Sequence, residues 1–291
     1  MLMVLEIGKR RRRGLREYLR SALRPPRRLE VREVVRETGR YGILTAYPDK
    51  KGELPWEDVR QAAGKEARHL LCPAGCTLPE EEGLLPFRPS GQMQGQLMQQ
   101  AALFLLRRAS RGKKQRRIAV GVYDPDGVRP DLAVSLLPYA AEVQVNTGCP
   151  QRYRSAGRIA MEEYGASLTL VGTQADVRGL QMLLLLAPLP CLPEGGGLIL
   201  SACGTREKRI GGDFYPRIPL SSGPWLAGLP EGVDPALFWE GLYERSGVRD
   251  MVAEPPDSVW LSGRRRPLPE LLARIPGLDI GAATSYNEMT I

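Results

Sequence analysis

The stretch "RRIAVGVYDPDGVRPDLAVSLLPYAAEVQVNTG", residues 116–148, decides the fold class. "IAVGVYD" reads as a short apolar strand, "DPDG" as a turn, "PDLAVSLLPYA" as a helix opening on a proline, and "AEVQVNT" as a second strand. Two strands joined through a helix run parallel, because a tight hairpin links only antiparallel neighbours. Helix "QRYRSAGRIAMEEYG" and strands "ASLTLVG", "QMLLLLAP" and "GGLILSACG" continue the alternation at the spacing of βαβ units. An α/β fold with a Rossmann-like, mainly parallel sheet over residues 116–220 is therefore predicted.

Upstream, "LEVREVV" and "YGILTAYPD" read as strands. "LPWEDVRQAAGKEA" starts a helix: Pro55 suits a first turn, and Glu57 and Asp58 sit near the positive end of the helix dipole. "RHLLCPAG" is a short strand closed by Pro and Gly. These elements predict a small α/β domain over residues 41–115, ending in a helix at 92–108 and the charged linker "ASRGKKQRR". Residues 1–40 read as a basic arm with a first strand. Residues 221–291, with "DPALFWEGLYERSG" and "LPELLARI" as helices and "PLSSGPWLAGLPEG" as a loop, read as a helical segment bridging the two lobes.

The chain of 291 residues carries a net charge of +8, and residues 1–40 hold all of the excess, thirteen Lys or Arg against five Glu. Such an arm can neutralise phosphates, which predicts weak, non-specific nucleic-acid binding; equally, it can be a solvated arm in an arginine-rich protein. No base-reading signature accompanies it. The apolar start "MLMVLEI" precedes its basic run, the reverse of a secretion signal, and "MLLLLAPLPCLP" is too short and too proline-rich to span a membrane. Five dispersed cysteines, Cys72, Cys76, Cys149, Cys191 and Cys203, suit reduced thiols and a cytoplasmic location.

A dinucleotide turn needs glycines, because backbone N–H groups must approach the pyrophosphate in front of a helix N-terminus. Here that turn is Val122, Tyr123, Asp124, Pro125, Asp126 and Gly127, and only the last position keeps its glycine. Asp124 and Asp126 bring negative charge to the phosphate position, and Pro125 removes a donor. The carboxylates instead suit bonds to turn or helix-start N–H groups. On this reading, replacing both by glycine gains some dinucleotide affinity.

The series "IAVGVYDPDG", "VNTGCPQRYRSA", "GGLILSACG", "GGDF" and "GLPEGVDP" resembles the cofactor half of two-domain dehydrogenases of the shikimate dehydrogenase and dipicolinate synthase A-subunit type, over roughly the last 60% of the chain. The resemblance implies NADP as cofactor, with Asn146, Thr147 and Arg152, followed by Arg154, at the ribose phosphate. In this chain no arginine stands between Asn146 and Thr147, where shikimate-type enzymes carry one.

Other chemistry-bearing residues are sparse. The single histidine, His69, precedes Cys72 and Cys76, but extended "HLLC" sends His69 and Cys72 to opposite faces and no fourth ligand is close, so no metal site is predicted. Cys203 follows a strand at the carboxyl edge where open α/β sheets bind ligands, Asp213 lies in a glycine-rich segment read as a loop, and Trp225 and Trp239 read as core or interface. The leading expectation is a degenerate Rossmann-like protein binding a small-molecule ligand or a partner at the interdomain cleft without catalysis. The alternatives are a divergent NADP-dependent oxidoreductase and a nucleic-acid-associated protein acting through the basic arm. No catalytic residue is assigned.

Overall fold

The computed structural model describes residues 1–8, 28–36, 39–111, 117–174, 177, 179–191, 197–203, 209–215, 229–249 and 252–278. The basic arm from residue 9 to 27, the middle of the charged linker, Trp225 and the end of the chain lie outside the described residues. The chain folds into two compact units: Met1–Met93 with Ile218–Asp250, and Gln94–Arg217 with Met251–Ile291. Residues 221–291 therefore do not form one C-terminal segment; the first part belongs to the first unit and the rest to the second. "LPELLARI" forms the short 3-10 helix Leu268–Arg274 rather than an α-helix.

The first unit is built on a four-stranded sheet in the order β2 (Leu29–Arg36), β3 (Gly39–Ala46), β1 (Leu2–Ile7), β4 (Leu70–Leu71). Strand β1 runs parallel to both neighbours, and β2 closes an antiparallel edge on β3. The apolar start of the chain is thus a central strand, with Leu2, Met3, Val4 and Leu5 all buried. Strands covered on both faces read as continuous apolar runs. One face packs under α1 (Trp56–Ala63), where Met3, Leu5, Leu44 and Ala46 meet Val59 and Ala63. The other face is covered by the helix Pro235–Ser246, which contacts β1, β3 and β4. Phe238 stands edge-on to Tyr41 with ring centroids 5.0 Å apart. A side chain at Gly241 would come within 2.7 Å of Leu2, so the helix needs glycine there to approach the strand.

A partly buried ion pair also ties this helix to the unit: Arg245 donates to Glu66 Oε2 at 2.5 Å through Nη2 and 3.2 Å through Nε. Burial pushes the Glu66 carboxyl up, but hydrogen bonds and charge from Arg245 and the terminal ammonium outweigh it and hold it below its usual value.

The second unit holds an eight-stranded sheet in the order β12-β11-β10-β9-β8-β5-β6-β7. Its strands are β5 (Ala119–Tyr123), β6 (Glu142–Asn146), β7 (Leu168–Val171), β8 (Met182–Leu185), β9 (Leu198–Ser201), β10 (Ile210–Tyr215), β11 (Ser258–Leu261) and β12 (Arg264–Pro267). The six from β5 to β10 are mutually parallel. Counted from β5, their order is 3-2-1-4-5-6, that of the Rossmann sheet.

Helices α2 (Gln92–Arg111), α3 (Pro130–Leu136) and α4 (Arg154–Tyr164) precede or connect the strands, with α3 linking β5 to β6 and α4 linking β6 to β7. An antiparallel hairpin, β11–β12, extends the sheet through the two-residue turn Ser262–Gly263, both residues at positive φ. Among the described residues no helix is long and apolar enough to cross a membrane.

Candidate functional site

The carboxyl end of β5 lies beside β8, at the point where strand order reverses and open α/β sheets bind their ligands. Asp124 sits there, fully buried. Its Oδ1 accepts from the Val128 N–H at 2.9 Å, and its Oδ2 from the Arg129 N–H at 2.9 Å and the Tyr153 hydroxyl at 2.6 Å. Its backbone is also used: its N–H donates to the Asn146 carbonyl at 3.0 Å, and its carbonyl accepts from the Gly127 N–H at 3.1 Å. A carboxylate thus satisfies the N–H groups of Val128 and Arg129 just before α3.

Asp126, two residues on, is exposed, and its bonded group is the carbonyl, which accepts from Arg152 Nη1 at 3.0 Å. The two aspartates expected to act together are therefore divided by the turn. Gly127 adopts φ 62°, and a side chain there would press on Arg152 at 3.0 Å and Cys149 at 3.1 Å. The turn is braced against the loop after β6 as well, since the Gly148 N–H donates to the Pro125 carbonyl at 2.9 Å.

The residues expected at a ribose phosphate are placed as follows. Asn146 is fully buried, with its Oδ1 accepting from Gln144 Nε2 at 3.0 Å. Thr147 is buried; its N–H donates to the Val171 carbonyl and its Oγ1 accepts from the Cys149 N–H at 3.0 Å. Arg152 is exposed and spans the turn to Asp126. The structure brings all three near Asp124, as supports of the turn.

Sequence reading missed Tyr153, the buried phenol that completes the Asp124 cluster. Its hydroxyl is driven well above the usual phenol range by burial and then by the Asp124 carboxylate that accepts its proton. The signal was an aromatic residue just before a helix, 29 positions from its partner, which no local pattern connects. Tyr153→Phe removes one charge-assisted bond and leaves the ring in place, so it should cost about 1.5–3 kcal/mol. Urea unfolding that shows an unchanged midpoint would contradict this.

Farther along the carboxyl edge, the Cys203 N–H donates to Ser201 Oγ at 3.1 Å. Burial pushes the Cys203 thiol up, against the opposing effect of Ser201. Asp213 is not in a loop. It is the bulged residue of β10, at φ 51°, where the register with β11 shifts between Gly212 and Phe214. The Gln94 side chain patches the ladder beside this bulge, accepting from the Phe214 N–H at 2.8 Å and donating to its carbonyl at 3.4 Å.

In the first unit, His69 ends the 3-10 helix Gly64–His69 rather than lying on a strand. Among the described residues no group of three or more His, Cys, Asp or Glu is placed to hold a metal ion.

No protein-family model matches the chain, and no curated protein matches it. Among solved structures, the chain is similar to the L-tryptophan dehydrogenase from Nostoc punctiforme, with 16% identity and a TM-score of 0.25 over 51% of this chain and 44% of that enzyme. The chain spans less than half of that enzyme's length, and so distant a likeness says nothing of activity. The Rossmann-like fold of the second unit stands on its own strand order, 3-2-1-4-5-6 with all six strands parallel.

Proposed function

We propose that the second unit is a Rossmann-like binding domain that takes a small ligand lacking a phosphate at the carboxyl edge of its sheet, with the dinucleotide position filled by its own Asp124. The supporting observation is the commitment of the donors. The N–H groups of Gly127, Val128 and Arg129, which a pyrophosphate would need, all bond to Asp124. A bound pyrophosphate would have to displace a buried carboxylate or lie against its charge. The chain beyond β8 is apolar and half-buried, and Ala187 and Leu189 pack against the cluster that includes Tyr123 at the end of β5, so this edge offers apolar rather than charged neighbours. Asn146 and Thr147, buried and bonded within the fold, weigh against an NADP-dependent reading.

Calorimetric titration and thermal unfolding with NAD and NADP test this. Neither cofactor should give binding heat or stabilisation at about 1 mM, whereas ligand at a hundred times its dissociation constant adds about 2.7 kcal/mol. Micromolar NADP binding by the unmodified chain would overturn the reading and favour the oxidoreductase.

A further inference from the structure

The segment Cys72-Pro73-Ala74-Gly75-Cys76 folds back on itself directly after β4. The Cys76 N–H donates to the Pro73 carbonyl at 3.1 Å, and Gly75 adopts φ 80°, the left-handed position that a type II turn requires at its third residue. The turn brings Cys76 back toward Cys72, and both side chains pack against the same apolar cluster. Both are half-buried free cysteines packed on the rim of one apolar cluster, with Leu70, Leu78 and Leu84 behind them and Trp56 at its edge. The Cys72 thiol donates to the Leu70 carbonyl at 3.5 Å. The loop is held from a second side, where the Ala74 N–H donates to the Gly232 carbonyl at 2.8 Å.

We propose that Cys72 and Cys76 form a reversible dithiol–disulfide site that is oxidised by low-molecular-weight disulfides. In the first step the Cys76 thiolate attacks one sulfur of the small disulfide. A Cys76–S–S–R bond forms, the original S–S bond breaks, and one RS⁻ leaves and takes a proton from water. In the second step Cys72 gives its proton to solvent and attacks Cys76 Sγ, closing the Cys72–Cys76 bond and expelling the second thiolate. Two protein thiols are oxidised and one small disulfide is reduced to two thiols, so the electrons balance.

The asymmetry of the pair supports this order. The Cys72 thiol is engaged with the Leu70 carbonyl, which suits it to the resolving step. The neighbouring Cys72 lowers the Cys76 thiol, while Cys76 and then burial push Cys72 up, in keeping with Cys76 as the attacking thiolate. Sequence spacing alone did not reveal the pair, because the turn, rather than the strand, determines where Cys76 points.

The test uses the full chain, equilibrated with glutathione and glutathione disulfide at a series of ratios. The sample is then acid-quenched, alkylated with iodoacetamide, digested and mapped by mass spectrometry. The expected result is a peptide carrying Cys72 and Cys76 that loses both alkyl groups as the disulfide fraction rises, leaving it two hydrogens lighter than the dithiol, and that carries both again when dithiothreitol is added before alkylation. Cys72→Ser should instead accumulate a glutathione adduct on Cys76 that does not resolve. The proposal is overturned if both cysteines stay fully alkylated at the highest disulfide ratio, if the wild-type chain stops at a mixed disulfide on Cys76, or if either thiol pairs instead with Cys149, Cys191 or Cys203. Should the serine variant fail to fold, mapping of the wild-type chain decides the matter by itself.

Discussion

Asp124→Ala is expected to destabilise the second unit by about 3–5 kcal/mol, a large share of the 5–15 kcal/mol that typically holds a domain folded. The substitution removes one small carboxylate and strands three donors: the Val128 and Arg129 N–H groups and the Tyr153 hydroxyl. Tyr153 is fully buried, so its hydroxyl gains no water in exchange, and the turn that positions α3 loses its anchor. Asp126→Ala, two residues away, should change stability by no more than about 0.5 kcal/mol, because its side chain is exposed. Urea denaturation of the two variants side by side is the measurement, and equal midpoints would refute the assignment. The same comparison revises the sequence-based expectation for the double glycine variant. Removing Asp124 does not clear a waiting phosphate site; it unties the turn, so Asp124→Gly with Asp126→Gly should lose stability and gain no dinucleotide affinity.

Trp239→Ala should be of similar size, about 3–5 kcal/mol, and should act on the first unit although its strand β1 lies at the opposite end of the chain. Trp239 is 1% exposed, beside Phe238, in the helix that covers β1, β3 and β4. Truncation leaves a cavity the size of an indole beside Phe238. Part of the loss is offset, since among the described residues the buried Trp239 Nε1–H has no hydrogen-bond partner and its removal relieves that penalty. Trp239→Phe separates the two effects: it keeps most of the packing, removes the unpaired donor, and should recover most of the stability lost in the alanine variant. Hydrogen exchange at β1 and β3 reads the result locally, and unchanged protection there in Trp239→Ala would refute the placement of this helix.

Strands β5 to β9 were legible in the sequence because each is a short apolar run bounded by Gly, Pro or polar turns, and the intervening helices carry their own start signals. For β5 to β7 the helical connections favoured parallel order, whereas no described helix joins β7 to β8 or β8 to β9, and the packed sheet decided their direction. The chemistry of the β5 turn was legible for the same local reason: missing glycines and an aspartate followed by proline are facts of covalent structure and charge.

Tertiary structure alone decided the rest. Strand β1 has no alternation to mark it, because both of its faces are covered, one of them by a helix more than two hundred residues later. Strand β10 was hidden by Gly211, Gly212 and the bulge at Asp213, which imitate a loop until a neighbouring strand and the Gln94 side chain supply the missing hydrogen bonds. Which aspartate bonds the N–H groups before α3 could not be read from two carboxylates two residues apart, since burial and the distant Tyr153 select Asp124. Local sequence sets what each segment prefers over distances of a few residues, whereas the partner of a buried polar group is chosen by whichever donor the packed chain brings to it.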